Sequence, residues 1–188
     1  MIASTLWIVI VVAVLIAVVA LYNGLVSRRQ MTNNGWADID VQLKRRADLI
    51  PQLVTTVQAY AAHERQLFED IAEKRSAALA AGDNAAERGA AESALSKPVA
   101  RLMALAEGYP DLKASQNFLD LQNELSNTED KIEMARRFYN GAVRELNIAV
   151  ETVPSNLVAG AFGIGKRAYF EIDTTDRAVP QVSTGPQS

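Results

Sequence analysis

The chain has 188 residues, carries a formal net charge of −3 and contains no cysteine and one histidine. That charge gives no field to draw nucleic acid, and without thiols there are no disulfides, no thiol catalysis and no thiolate metal sites. The one histidine, His63, falls short of both an imidazole metal site and a serine–histidine triad.

From Ile2 to Val26 no residue is charged. The part from Leu6 to Leu25 would form a helix about 30 Å long at about 1.5 Å per residue, matching the hydrocarbon thickness of a bilayer. Thirteen of its 20 residues are Leu, Ile or Val, each favouring insertion by about 0.3–0.6 kcal/mol. A cleaved signal peptide would show a basic start, a shorter apolar core and a small-residue cleavage site. No Lys or Arg precedes this run, and Tyr22-Asn23-Gly24-Leu25-Val26 is a poor cleavage site. A buried core helix is the other competing reading. The pattern favours an uncleaved anchor over residues 1–27 that meets lipid through Leu6, Trp7, Ile10, Val14, Val18, Leu21 and Leu25. Between Ser27 and Arg46, Arg28, Arg29, Lys44, Arg45 and Arg46 outnumber Asp38 and Asp40. Such a flank prefers the cytoplasmic side, which leaves the N-terminus outside.

No proline follows the anchor, so its helix can run on. Asn33-Asn34-Gly35 is its weakest point, because all three disfavour helix. From Trp36 a 3-4 apolar pattern runs through Ile39, Leu43, Ala47, Ile50, Val54, Val57, Ala61, Phe68 and Ile71, broken at Glu64. It predicts one long helix over 34–79, kinked more than stopped at Pro51. Val41, Leu49 and Leu53 widen its apolar face. Ala81-Gly82-Asp83-Asn84 is a turn, followed by a helix over 85–107 with Leu95, Val99, Leu102 and Leu105 inward and a bend at Pro98. Gly108-Tyr109-Pro110-Asp111 is a second turn.

The third helix holds strict 3-4 spacing at Phe118, Leu121, Leu125, Thr128, Ile132, Ala135, Tyr139, Ala142, Leu146 and Ala149. That is the pattern of left-handed, coiled-coil-like packing. Ser115 or Asn117 can cap its start, and Val153-Pro154 ends it. Residues 153–172 form an apolar, Gly-rich appendix. Ser155 or Asn156 can cap a short helix there, and Tyr169-Phe170-Glu171-Ile172 is expected to be extended. The polar remainder, 173–188, is expected to lack regular structure. The fold class is therefore all-α: an N-terminal transmembrane helix, an antiparallel bundle of long helices over 28–152 and a short apolar C-terminal appendix. A sharp kink at Pro51 would turn three bundle helices into four segments.

No constellation reaches a chemical minimum. His63-Glu64 begins like a zinc-protease helix, but Leu67 stands where the second histidine would be. Glu129, Asp130 and Glu133 lack the Glu-x-x-His partners of a di-metal bundle. Gly160, Gly163 and Gly165 do not follow a strand, so they make no nucleotide fingerprint. Catalytic, cofactor and metal residues are all absent from this reading. The charges instead predict a polar interhelix network joining Gln42, Arg45, Arg46 and Asp48 to Glu129, Asp130, Arg136 and Arg137, which would fix helix register. Gln122, Asn123, Asn127, Asn140 and Asn147 are amides in a helix that does not favour them, best explained by interhelical hydrogen bonds.

Several blocks together resemble the LemA family. They are Trp36–Val54 (WADIDVQLKRRADLIPQLV), Gly108–Lys113 (GYPDLK), Asn117–Leu119, Leu121-Gln122, Glu124-Leu125, Thr128–Ile132 (TEDKI), Ala135–Asn140 (ARRFYN) and Val153–Leu157 (VPSNL), in family order. Asn34-Gly35 and Gly165-Lys166-Arg167 depart from the family pattern. The resemblance implies a bacterial inner-membrane protein with one N-terminal span and an antiparallel helical bundle. LemA-like proteins include a magnetosome-membrane member tied to membrane shaping, and some are associated with membrane proteases and envelope stress. No catalytic residues come with the family.

The function expected is a non-enzymatic membrane-anchored scaffold that self-associates through Leu157, Val158, Phe162, Ile164, Tyr169 and Phe170. Its partners are then the lipid bilayer and further copies of the chain. The alternative is an adaptor of an envelope protease or stress-response system, docking a membrane protease or envelope protein through the polar network face.

Overall fold

A computed structural model of the chain describes residues 2–172; the tail expected at 173–188 lies outside them. Among the described residues the elements are six helices: α1 (Ile2–Gln58), α2 (Arg65–Ala80), α3 (Ala85–Ala106), α4 (Pro110–Lys113), α5 (Gln116–Glu151) and α6 (Ser155–Ala161). The fold is all-α, with one long apolar N-terminal helix and an antiparallel bundle, as the sequence predicts.

The first helix is one continuous rod. Its 57 residues span about 85 Å at about 1.5 Å per residue. Asn33-Asn34-Gly35 does not weaken it. A Cβ on Gly35 would lie 3.0 Å from the Phe138 ring and 3.1 Å from the Tyr139 Cα. The missing side chain is what lets α5 approach α1 there, and that packing outweighs the poor helix propensity.

The helix also passes through Pro51. Proline has no N–H to bond the Ala47 carbonyl one turn back. Arg75 of α2 supplies the missing donor, its Nε bonding Ala47 O at 2.6 Å. The expected single helix over 34–79 breaks instead at 59–64, where Tyr60 and Ala61 N–H both donate to Val57 O. No glycine or proline marks that turn. The apolar phase continues across it because α1 and α2 fold back on each other and bury their stripes in one core.

Four segments therefore do form, with the reversal at 59–64 in place of Pro51. α2 runs back along α1, α3 runs forward beside it, and α5 returns antiparallel past both. Their shared core holds Ile50, Leu53, Val57, Ile71, Leu95, Leu102 and Leu125. Asn84 caps α3, its side-chain oxygen accepting from Ala86 and Glu87 N–H. α3 continues through Pro98, and Ser115 occupies the N-cap of α5 without a side-chain bond.

Past Glu151 the chain turns through α6 and returns as an extended strap over 164–172. Pro154, not Ser155 or Asn156, holds the N-cap position of α6, and the Ser155 hydroxyl donates to the Ala149 and Thr152 carbonyls. Two smaller cores follow along α1. Ile39, Leu43, Ile132, Tyr139, Val143 and Phe170 form the middle one. Leu25, Leu146, Val158, Ala159 and Ile164 form the one beside the apolar run.

Candidate functional site

Three arrangements carry chemistry. The first is a buried charge cluster at the crossing of α1, α3 and α5. Arg46 is 1% exposed. Its Nε lies 2.9 Å from Glu129, its Nη1 lies 3.4 Å from Glu92 and its Nη2 donates to the Ser96 hydroxyl at 2.7 Å. Glu92 is as deeply buried and also meets Arg88 Nε at 3.3 Å. Arg88 reaches on to the Ala81 carbonyl and Asp40. Burial pushes the Glu92 carboxyl above its usual range, against the downward pull of Arg46 and Arg88. The cluster is a neutralised lock between three helices. Beside it opens a cleft of about 750 Å³, whose lining includes Arg46, Lys97, Glu129, Asp130, Glu133 and Arg136.

The predicted network is thus real at its centre and redistributed at its edges. Arg46 and Glu129 meet as expected. Arg45 pairs with Glu124 on the surface. Asp48 faces Arg75 of α2 at 4.0 Å. Arg137 pairs within its own helix with Glu133. Arg136 donates to the Ile172 carbonyl. Asp130 stands exposed, and the buried Gln42 side-chain oxygen meets no donor. Sequence reasoning missed Arg88, Glu92 and Ser96. Arg88 and Glu92 continue the Leu95-Val99-Leu102 stripe of α3 at the same 3-4 spacing, which was the available signal.

The second arrangement is the strap on α5. Asn147 accepts from Arg167 N–H at 2.9 Å and donates to Arg167 O at 3.0 Å. Asn140 does the same for Phe170, at 2.9 and 3.0 Å. Each amide reproduces the two-bond pairing of an antiparallel strand. Tyr139 adds a bond from its hydroxyl to Ala168 O, and burial pushes that phenol up, with Arg167 pulling it down. The spacings match. Seven residues of helix and three of extended chain both advance about 10 Å. Phe170 is fully buried against Trp36 and Tyr139, its ring edge-on to Trp36 at 5.7 Å. A Cβ on Gly89 would fall 2.2 Å from Glu171 O, so the strap passes directly over α3.

This corrects the expected self-association segment. Val158, Ile164 and Phe170 are buried within the chain and unavailable to a second copy; Leu157, Phe162 and Tyr169 remain exposed.

The third arrangement is the apolar run itself. Leu6, Trp7, Ile10 and Val14 are all exposed, and this is the described segment long and apolar enough to cross a membrane. Val18 and Leu21 are half-buried, and Leu25 is buried, because α5 and α6 reach that level.

A family model described as "LemA family" matches residues 35–183. The chain belongs to the LemA family. Among its relatives, Magnetosome protein MamQ 2 of Paramagnetospirillum magneticum is 25% identical over 186 residues, covering 86% of this chain and 68% of that protein. Magnetosome protein MamQ of Magnetospirillum gryphiswaldense is 23% identical over 174 residues, covering 79% and 64%. Protein LemA of Metamycoplasma hominis is 35% identical over 71 residues, covering 38% and 32%. The LemA match begins at the Gly35 contact between α1 and α5. It takes in both the charge lock and the strap, and leaves the apolar run outside. This LemA chain is a membrane-associated helical protein.

Proposed function

We propose that this LemA-family chain is a non-enzymatic, membrane-anchored scaffold that self-associates and helps to organise or shape a membrane. The observation that carries the reading is exposed apolar surface on α5 where it packs on α1. Met134 and Phe138 are 56% and 49% exposed. Phe138 lies over Gly35, and Met134 sits one helical turn away on the same face. An exposed apolar line on a rigid helix pair fits a second copy of the same pair.

The buried Arg46 and Arg88 both pair with the buried Glu92, as a structural lock requires. The uncharged run of α1 supports a single span, and its basic flank supports an inner-membrane location with the bundle on the cytoplasmic side. Relatives named as magnetosome proteins fit a role at a membrane.

The test is the mass of the full-length protein extracted in detergent, by light scattering, with electron microscopy of the same peak. A discrete ring, cage or stack is expected, reduced to monomer in Met134→Glu/Phe138→Glu. A wild-type monomer would overturn self-association. It would favour an adaptor that docks an envelope protein or membrane protease at the cleft beside Arg136.

A further inference from the structure

α5 is long enough to carry its C-terminal end down beside the apolar run. Thr152 and Ser155 share a surface groove with Ala20, Leu21, Gly24 and Leu25, together with the charged Arg28 and Glu145. The Phe162 ring packs at a tilt against Tyr22, with a centroid distance of 4.6 Å. Val18, four residues deeper in the run, packs against the same core as Val158 and Ile164. The α5–α6 corner is therefore level with the last turns of the uncharged stretch, not with the bundle.

The corner's composition suits that depth. No charged residue lies between Glu151 and Lys166. Its inner side chains, Val158, Ala159 and Ile164, are buried on the bundle. Its outer ones are large and apolar: Val153 is 72% exposed, Leu157 70% and Phe162 55%. Exposed apolar side chains this concentrated, continuous with a lipid-facing helix, ask for an apolar medium. Arg28 and Arg29 leave the run just above this level, and Lys166 and Arg167 begin the strap there. Arg167 reaches across to Asn33 of α1 at 3.0 Å. Lys166 is paired with Glu151, and the net basic side chains around the apolar corner match the layering of acyl chains under anionic headgroups.

We infer that the α5–α6 corner is a second membrane contact, seated at the boundary between acyl chains and headgroups, with Val153, Leu157 and Phe162 facing lipid. It holds the foot of the bundle against the bilayer, so the anchor and the corner grip one surface at two places. The inference rests on the anchor reading and is independent of self-association.

The absence of native cysteine allows single-site labelling. Full-length protein carrying Leu157→Cys or Val153→Cys would be spin-labelled and reconstituted in phosphatidylcholine vesicles with one quarter phosphatidylglycerol. Collision rates with oxygen and with a neutral nickel chelate would be compared with Val14→Cys in the run and Lys131→Cys on the bundle. The expected result is nickel access several-fold below that at Lys131 and oxygen access near that at Val14. Nickel access equal to that at Lys131 would overturn the inference by placing the corner in water. Low access to both quenchers would also overturn it, by assigning the corner to protein contact. A Val14 label open to nickel would fail the anchor first, and the inference with it.

Discussion

At the level of Leu53 and Leu102, α1 is enclosed by three other helices and its core is mainly aliphatic, with Phe68 and Phe118 among its members. At the level of Gly35 and Trp36, α2 has ended and α3 is only beginning, and α1 is enclosed by α5 and an extended strap. Helices satisfy their own backbone, so in the first region side chains have only to fill space. A lone extended segment has no ladder, and its N–H and C=O groups must be bonded from outside. Asn140, Asn147, Tyr139 and Arg136 do that from one face of α5. The same bundle therefore holds one region by volume and the other by directed hydrogen bonds, and the two should fail differently.

Leu102→Ala should have the largest effect. Leu102 is fully buried, so the cavity and lost burial cost about 2–5 kcal/mol. Hydrogen exchange should quicken throughout the four-helix region, in α1, α3 and α5 alike. Arg46→Met strikes the lock just below it. It leaves Glu92 buried with Arg88 alone, for a loss of about 3 kcal/mol, and the double variant Arg46→Met/Glu92→Met should recover much of it in chemical denaturation. Independent, additive losses in that pair would sink the idea of a lock.

Breaking the strap should cost less and stay local. Asn140→Ala removes both bonds to Phe170, about 1–3 kcal/mol. Exchange at the Phe170 amide should rise while the α1 amides at 52–57 stay protected. Gly89→Ala sharpens the contrast. Alanine favours the α3 helix by about 1 kcal/mol, yet its Cβ collides with Glu171 O. The expected outcome is unchanged or higher helix protection beside a loosened strap. Equal loosening of α3 would show that the strap holds the helix, and not the reverse.

The smallest effect is in pH dependence. Glu92 has its folded pKa raised above its ordinary 4.5. The stability this group contributes is therefore fully present below about pH 4.5 and is lost as pH rises through the raised value. Relative to Glu92→Gln, the wild type should gain stability as pH falls from 7 toward 4.5. A difference that moves the other way would mean that Arg46 and Arg88 outweigh burial.

The sequence makes the bulk pattern legible because the patterns are long. The stripe of α5 from Phe118 to Ala149 and the uncharged run before Ser27 each extend over many turns. The reversal at 59–64 is illegible for a physical reason: α1 and α2 present their apolar faces to one core, so periodicity passes through the turn unaltered, and no Gly or Pro interrupts it. Glu92 hides in an Ala-rich helix whose inward line was traced from Leu95 onward. The misplaced amides Asn140 and Asn147 did signal a bonding partner. The partner is not another helix, as the spacing suggests, but the backbone of the extended segment 164–172, which shows only once that segment lies beside α5. Phe170 and Ile164 look like free apolar surface in one dimension because what covers them is far away in sequence.

One consequence follows from α1 crossing from the uncharged run into the bundle with no hinge. Between Val26 and Gln58 the shaft is about 48 Å long. With the proposed anchor in a bilayer, any tilt of that segment swings the whole bundle as a rigid lever, and about 10° of tilt carries its far end sideways by about 8 Å. On a surface that bulges toward the bundles the far ends of neighbouring copies spread apart, and on one that hollows away from them they converge. The spacing of these tips is then a direct readout of membrane curvature.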